Sequence, residues 1–168
     1  MKMKRLVIYP EKCVGCKLCE LACSFRHFGE FNPSISFITN VGFPDEPFFF
    51  VPLTCFQCER PYCAEACPKG ALSRSEKTGA VVLNKEKCKG CKICISACPF
   101  GNIVFLEEEG IVGKCELCGG EPECAKICPT EAIQYLDGTS AYLLKKRRVA
   151  EVMKNAYRAE TLIRGAPF

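Results

Sequence analysis

The run Cys88-Lys-Gly-Cys91-Lys-Ile-Cys94-Ile-Ser-Ala-Cys98-Pro99 constrains this chain more than any other feature. Four cysteines separated by two, two and three residues and closed by proline have the spacing that holds a cubane iron–sulfur cluster. Three of the thiolates can curl around one face of a cluster. The fourth points away and ligates a second cluster, so one such run implies another in the same chain. Gly90 lets the backbone pass close to the sulfurs without a Cβ in the way. Pro99 ends the short helix that carries Cys94 and Cys98.

Three further runs are present. Cys13, Cys16, Cys19 and Cys23 repeat the same spacing, with Gly15 standing where Gly90 does. Ser24 takes the place of the closing proline, so the helix begun at Lys17 is expected to continue a turn or so past Cys23. Cys55, Cys58, Cys63 and Cys67 have a middle gap of four residues and end in Pro68. Cys115, Cys118, Cys124 and Cys128 have a middle gap of five and end in Pro129. The stretch Glu11 to Cys19 resembles Glu86 to Cys94, and the second and fourth runs share the widened gap. The chain therefore reads as a duplicated pair of cluster motifs. Short β-rich stretches at 5–9, 80–84, 103–106, 111–114 and 132–136 separate the runs, and the turn at 75–79 predicts a hairpin.

Sixteen cysteines in 168 residues leave a disulfide scaffold, structural zinc or iron–sulfur clusters. Zinc sites use two cysteines per knuckle; here four runs of four use every cysteine, which favours iron–sulfur clusters. The apolar stretch before Pro10 is too short for a signal-peptide core, and no segment reaches the length of a bilayer span. A reducing cytoplasm, with no integral membrane segment, is expected. The formal charge of +4 counts neutral thiols. Each ligating thiolate removes one charge and each of four oxidised cubane cores returns two, bringing the loaded chain to about −4. A nucleic-acid partner is not expected. No nucleophile–base pair or phosphate loop is present, so the chain is expected to be non-catalytic.

Residues 24–54 form an insertion holding Phe25, Phe28, Phe31, Phe37, Phe43, Phe48, Phe49 and Phe50, eight of the twelve phenylalanines. Pro33, Pro44, Pro47 and Pro52 exclude one long helix. Most of these rings are expected to pack as core, with the rest left for a partner. His27, the single histidine, is expected to be structural or exposed. Residues 138–168 carry a net charge of +5, while residues 1–137 carry −1. Val149, Val152, Met153, Ala156 and Tyr157 recur at helical spacing, and Gly165 with Pro167 marks a stop. This basic amphipathic tail is expected to dock on protein, either its own cluster-bearing body or a neighbouring subunit.

The order of the four runs and the gaps of the second and fourth resemble the four-cluster ferredoxin-like subunits of molybdenum and tungsten oxidoreductases, the dimethyl-sulfoxide reductase beta-subunit type. The likeness covers about residues 4–136. It implies an α+β fold of duplicated ferredoxin-like modules over 1–137, followed by a helical tail over 138–168. In that family the first run pairs with the fourth and the second with the third. Carried over, the resemblance implies four [4Fe-4S] clusters: Cys13, Cys16, Cys19 with Cys128; Cys115, Cys118, Cys124 with Cys23; Cys55, Cys58, Cys63 with Cys98; and Cys88, Cys91, Cys94 with Cys67. Spacing alone leaves open a first-with-second, third-with-fourth arrangement.

The compact Cys118-Gly-Gly-Glu-Pro-Glu-Cys124 loop is similar to that of small subunits accompanying tungsten aldehyde oxidoreductases and benzoyl-coenzyme A reductases. The implied function is a relay of single electrons between a large catalytic subunit and a second redox partner. The first is expected to hold a tungstopterin or molybdopterin and to oxidise an aldehyde; the second would be a ferredoxin or flavoprotein. The alternatives are an iron–sulfur subunit of a carbon-monoxide dehydrogenase, formate dehydrogenase or hydrogenase system, and a free polyferredoxin.

Overall fold

The structure is a computed structural model. It describes residues 4–140 together with 143, 146, 147, 149–151, 153 and 154. Eight strands form four separate antiparallel pairs, β1–β8, β2–β3, β4–β5 and β6–β7. They are β1 (Lys4–Ile8), β2 (Ile38–Phe43), β3 (Glu46–Thr54), β4 (Leu72–Arg74), β5 (Val81–Leu83), β6 (Val104–Leu106), β7 (Ile111–Gly113) and β8 (Ile133–Asp137). Each cysteine run carries a helix: α1 (Leu18–Phe28), α2 (Tyr62–Glu65), α3 (Ile93–Ala97) and α4 (Glu123–Lys126). Among the described residues no helix is long and apolar enough to cross a membrane. This mixed helix-and-strand architecture agrees with the expected ferredoxin-like class.

α1 and α3 begin alike and end differently. Lys17 and Lys92 precede them in left-handed conformation, with φ of 60° and 61°, turning the chain sharply out of each cysteine loop. α3 stops at Cys98, ahead of Pro99. α1 runs on to Phe28 and closes at Gly29, whose amide bonds the Phe25 carbonyl. Ser24, where a proline would have stopped it, is fully buried. Its hydroxyl donates to the Leu21 carbonyl at 3.0 Å and accepts the Asn32 amide at 3.1 Å. The helix extension is thus anchored, as expected from the missing proline.

β1 and β8 clasp residues from opposite ends of the cysteine-bearing body, with Lys4 opposite Asp137 and Ile8 opposite Ile133. That clasp lays the first run beside the fourth, and α1 packs on α4. The other two runs meet through α2 and α3. The buried side chains divide in the same way. Cys19, Cys23, Ile38, Cys124 and Ile133 form one core, against which Cys128 packs. Leu72, Val81, Cys94, Ile103 and Val112 form a second, which gathers Cys63, Cys88 and Cys98. Ala80, Cys115 and Leu117 form a third that Cys55 joins. Apolar burial is shared with thiols in every one of them.

The insertion is the β2–β3 hairpin, folded over at Pro44–Asp45, with a register shift between Gly42 and Phe43. Its phenylalanines correct the expectation that most would be core. Phe25, Phe31, Phe43, Phe48 and Phe49 are exposed, Phe48 at 90%, and Phe28, Phe37 and Phe50 are half-buried. A two-stranded ribbon has two faces and covers only one. Phe25 and Phe31 stack on each other at 4.6 Å instead of on a core.

The described positions from 138 to 154 are helical, with Arg147 and Glu151 paired at 3.4 Å. Val149 and Met153 are 52% and 67% exposed, so they do not lie on the chain's own body. Val152, Ala156 and Tyr157 of the expected apolar stripe, and the stop at Gly165 and Pro167, lie outside the described residues.

Candidate metal centres

The sixteen cysteines are all free thiols. The second and third runs share two cavities. One is lined by Cys55, Cys58, Cys63 and Cys98 together with Pro61, Tyr62 and Phe100. The other is lined by Cys67, Cys88, Cys91 and Cys94, closed by Leu72 and Val112. In each, three thiols come from one run and the last cysteine comes from the other.

The electrostatic neighbours of the buried thiols extend this pattern. Burial, reinforced by Cys115, Cys23, Cys118 and then Cys19, pushes the Cys124 thiol far up. Burial and the Glu20 carboxylate, with Cys13 and Cys16, push Cys19 up to about 12. Burial raises Cys63, with Cys55 and Cys98 adding to it and Lys114 opposing. Burial also raises Cys94, with Cys67, Cys88 and Cys63 adding to it. Thiols this crowded and buried do not ionise together unless a cation lies among them.

Donors aimed at the sulfurs complete the setting. Asn40 Nδ2 donates to Cys13 Sγ at 3.3 Å, and the Ala71 amide donates to Cys67 Sγ at 3.3 Å. Although burial raises the Cys67 thiol, the amides of Ala71, Lys69, Leu72 and Gly70 outweigh it, and the net shift is downward. Burial lifts Cys115 against the Leu117 amide and the Thr54 hydroxyl. Thiols grouped in fours, partly buried and supplied with N–H donors, are the donor chemistry of iron–sulfur clusters.

Gly15 and Gly90 are required, for a reason additional to the one expected. Their φ values are +69° and +63°, and a Cβ would sit 2.7 Å from the Phe50 ring and 2.3 Å from the Gly110 carbonyl oxygen, respectively. The space is taken by packing behind the cysteine loop.

Three polar side chains lie near the thiols without belonging to the ligand pattern. Lys114 is buried, and its ammonium donates to the carbonyls of Val81 and Cys115. Gln57, with φ +50°, is buried and bridges the Cys115 carbonyl at 2.9 Å and the Val81 amide at 2.8 Å. His27 is half-buried between Phe28 and Phe37, its Nε2 3.8 Å from Cys118 Sγ and 3.9 Å from Glu116 Oε1. Lys114 could have been suspected as a charge ending the apolar run of β7. The partners of Gln57 and His27 lie too far along the chain for any local signal.

These thiol groups define an iron–sulfur protein. A 4Fe-4S dicluster domain model matches residues 47–151, and a 4Fe-4S binding domain model matches residues 6–25. The polyferredoxin-like subunit of an aliphatic sulfonate oxidoreductase from Pyrococcus furiosus is 48% identical over 124 residues, covering 73% of this chain and 70% of that protein. The B subunit of the anaerobic dimethyl sulfoxide reductase of Escherichia coli is 32% identical over 147 residues, covering 76% of this chain and 70% of that one. A component of the active-site complex BamBC of benzoyl coenzyme A reductase, solved with 1,5-dienoyl-CoA, aligns with 29% identity and a TM-score of 0.43, over 79% of this chain and 75% of that one.

This chain thus belongs to the 4Fe-4S dicluster domain family. It is an iron–sulfur electron-transfer protein, similar to the iron–sulfur subunits of oxidoreductase complexes.

Proposed function

We propose that the chain is a linear relay of four [4Fe-4S] clusters within an oxidoreductase complex. The observation that carries this reading is the order in which the thiols of different groups meet. Cys63 packs against the core that holds Cys94, Cys55 packs against the core that holds Cys115, and Cys124 shares a core with Cys19. These three junctions string the groups into one row. Cys67, Cys88, Cys91 and Cys94 come first, then Cys55, Cys58, Cys63 and Cys98. Cys23, Cys115, Cys118 and Cys124 follow, and Cys13, Cys16, Cys19 and Cys128 stand at the far end. The cavities lined by the first two sets support the pairing of second run with third; the shared core of Cys19, Cys23, Cys124 and Cys128 supports that of first with fourth. Bound clusters would supply one-electron storage. The chain's own part is to hold their spacing, exclude water and direct N–H donors and the Lys114 charge at them.

The catalytic partner in this reading is a large tungstopterin or molybdopterin subunit that oxidises an aldehyde. The exposed rings of the insertion, Phe48 above all, support a fixed protein partner, since aromatic side chains are enriched in interface cores. The relative named for an aliphatic sulfonate oxidoreductase favours a sulfonate as the second reading of the substrate. Anaerobic purification through a tag on this chain should co-elute a large pterin-bearing subunit. Phe48→Ser should weaken that association without loss of iron. Recovery of the iron-loaded chain alone, from cells that make every neighbouring gene product, would count against a fixed subunit.

A further inference from the structure

We infer that the face around Cys91 is the docking surface for a separate, acidic one-electron carrier; this rests on the relay reading above. The cavity lined by Cys67, Cys88, Cys91 and Cys94 is rimmed by Lys69, Lys87, Lys89 and Lys92, and no carboxylate lines it. These four lysines and Cys91 are all exposed. Lys85 stands beside them in sequence but is paired with Glu109 at 2.6 Å. Lys92 rests its ammonium 3.7 Å from the centroid of the Phe105 ring, which holds that charge near the rim. The opposite end of the row keeps Lys12 and Lys17 but has Val14, 60% exposed, and Thr130 where this end has Lys89 and Lys69, so it is the less charged and the more apolar of the two.

The two ends suit two kinds of partner. An apolar surface suits a subunit that stays bound. A rim of like charges repels itself until a surface of opposite sign meets it, and it draws that surface in from solution. Such encounters are fast and brief, as a carrier that must leave requires. In each one, a single electron passes from the reduced centre beneath Cys91 to the carrier, oxidising the chain as the carrier is reduced.

The alternative role for these lysines is to balance the charge of the centre beneath them. The two roles separate experimentally. Loss of balancing charge would alter the centre's potential and change its rate with every acceptor. Loss of a docking surface would slow acidic proteins alone.

The test uses the iron-loaded chain, reduced with dithionite and freed of excess reductant. It is mixed by stopped flow with an oxidised acidic plant-type ferredoxin and, separately, with a zwitterionic sulfonatopropyl viologen. The variant K69Q/K87Q/K89Q is compared with wild type and with K4Q/K77Q/K154Q, which removes as many charges at exposed positions outside the cysteine runs. At low salt the first variant should lose about tenfold or more in rate with the ferredoxin, and its salt dependence should flatten. The control variant, and every protein with the viologen, should stay within about twofold of wild type. An unchanged ferredoxin rate and salt slope at full iron content would overturn the proposal. So would an equal loss with the viologen, or dissociation of the large subunit from the K69Q/K87Q/K89Q complex. An iron-loaded wild type that reduces neither acceptor would instead contradict the relay.

Discussion

Asn40 donates its Nδ2 hydrogen to the Sγ of Cys13 across 3.3 Å, tying the hairpin of the insertion to the first cysteine run. The Asn40 amide is held in turn by the carboxylate of Glu20 at 2.5 Å, on the helix that carries Cys19 and Cys23. A thiolate only accepts, so the side-chain nitrogen must face the sulfur, and Oδ1 is left buried without a partner. A buried polar atom left unsatisfied in this way is costly, which is consistent with a donor kept for the sulfur.

Asn40→Leu should therefore lower the reduction potential of the cluster held at Cys13. A hydrogen bond to sulfur stabilises the more negative, reduced form, so its removal disfavours reduction. A shift of some tens of millivolts is expected, about 59 mV corresponding to a tenfold change for one electron. A redox titration followed by electron paramagnetic resonance reads it directly. An unchanged potential at full iron content would show that the bond does no tuning.

Cys23 lies on α1 but neighbours Cys115, Cys118 and Cys124. Cys23→Ala should therefore damage the cluster of the fourth run and leave that at Cys13, Cys16 and Cys19 reducible. Loss of the first-run signal instead would mean that the runs ligate within themselves. Because Cys23 and Cys124 share one core, the variant should also be less stable, by about 1 to 3 kcal/mol.

The cysteine spacings alone make the iron–sulfur class legible, because ligand geometry is local. Helix starts, the Ser24 extension and the short hairpins were legible for the same reason. The pairing of runs was not. It depends on the β1–β8 clasp and on α1 meeting α4, and nothing in the alternation of Lys4–Ile8 says which strand it will join. The phenylalanines misled because composition counts rings, whereas burial depends on whether a second layer covers the hairpin. Phe48 has no such layer. His27 found Cys118 only through the packing of α1 against the fourth run.

Gly90→Ala is expected to be more damaging than Gly29→Ala. Both glycines have positive φ, but only the first would drive its Cβ into a carbonyl, 2.3 Å from the Gly110 oxygen. Gly29→Ala should cost about 1 to 2 kcal/mol, the strain of a left-handed alanine. Gly90→Ala should cost more and reduce iron content at the third run. Equal melting temperatures for the two loaded variants would refute the close packing of that loop.

Removing residues 138–168 should leave iron content intact while weakening assembly with the catalytic subunit. Val149 and Met153 are exposed on the isolated chain, and the segment lies beyond the last cysteine. Gel filtration of the anaerobic complex checks this. Normal assembly of the shortened chain, or sedimentation of the full chain with anionic vesicles when no partner is present, would assign the tail another role.

Iron and acid-labile sulfide, counted per chain after anaerobic purification, bear most directly on the relay of four clusters. Sixteen cysteines at four per cubane require about sixteen of each. About eight irons would leave half the row empty and break the path between its ends. Stoichiometric zinc in a colourless protein would contradict the account altogether.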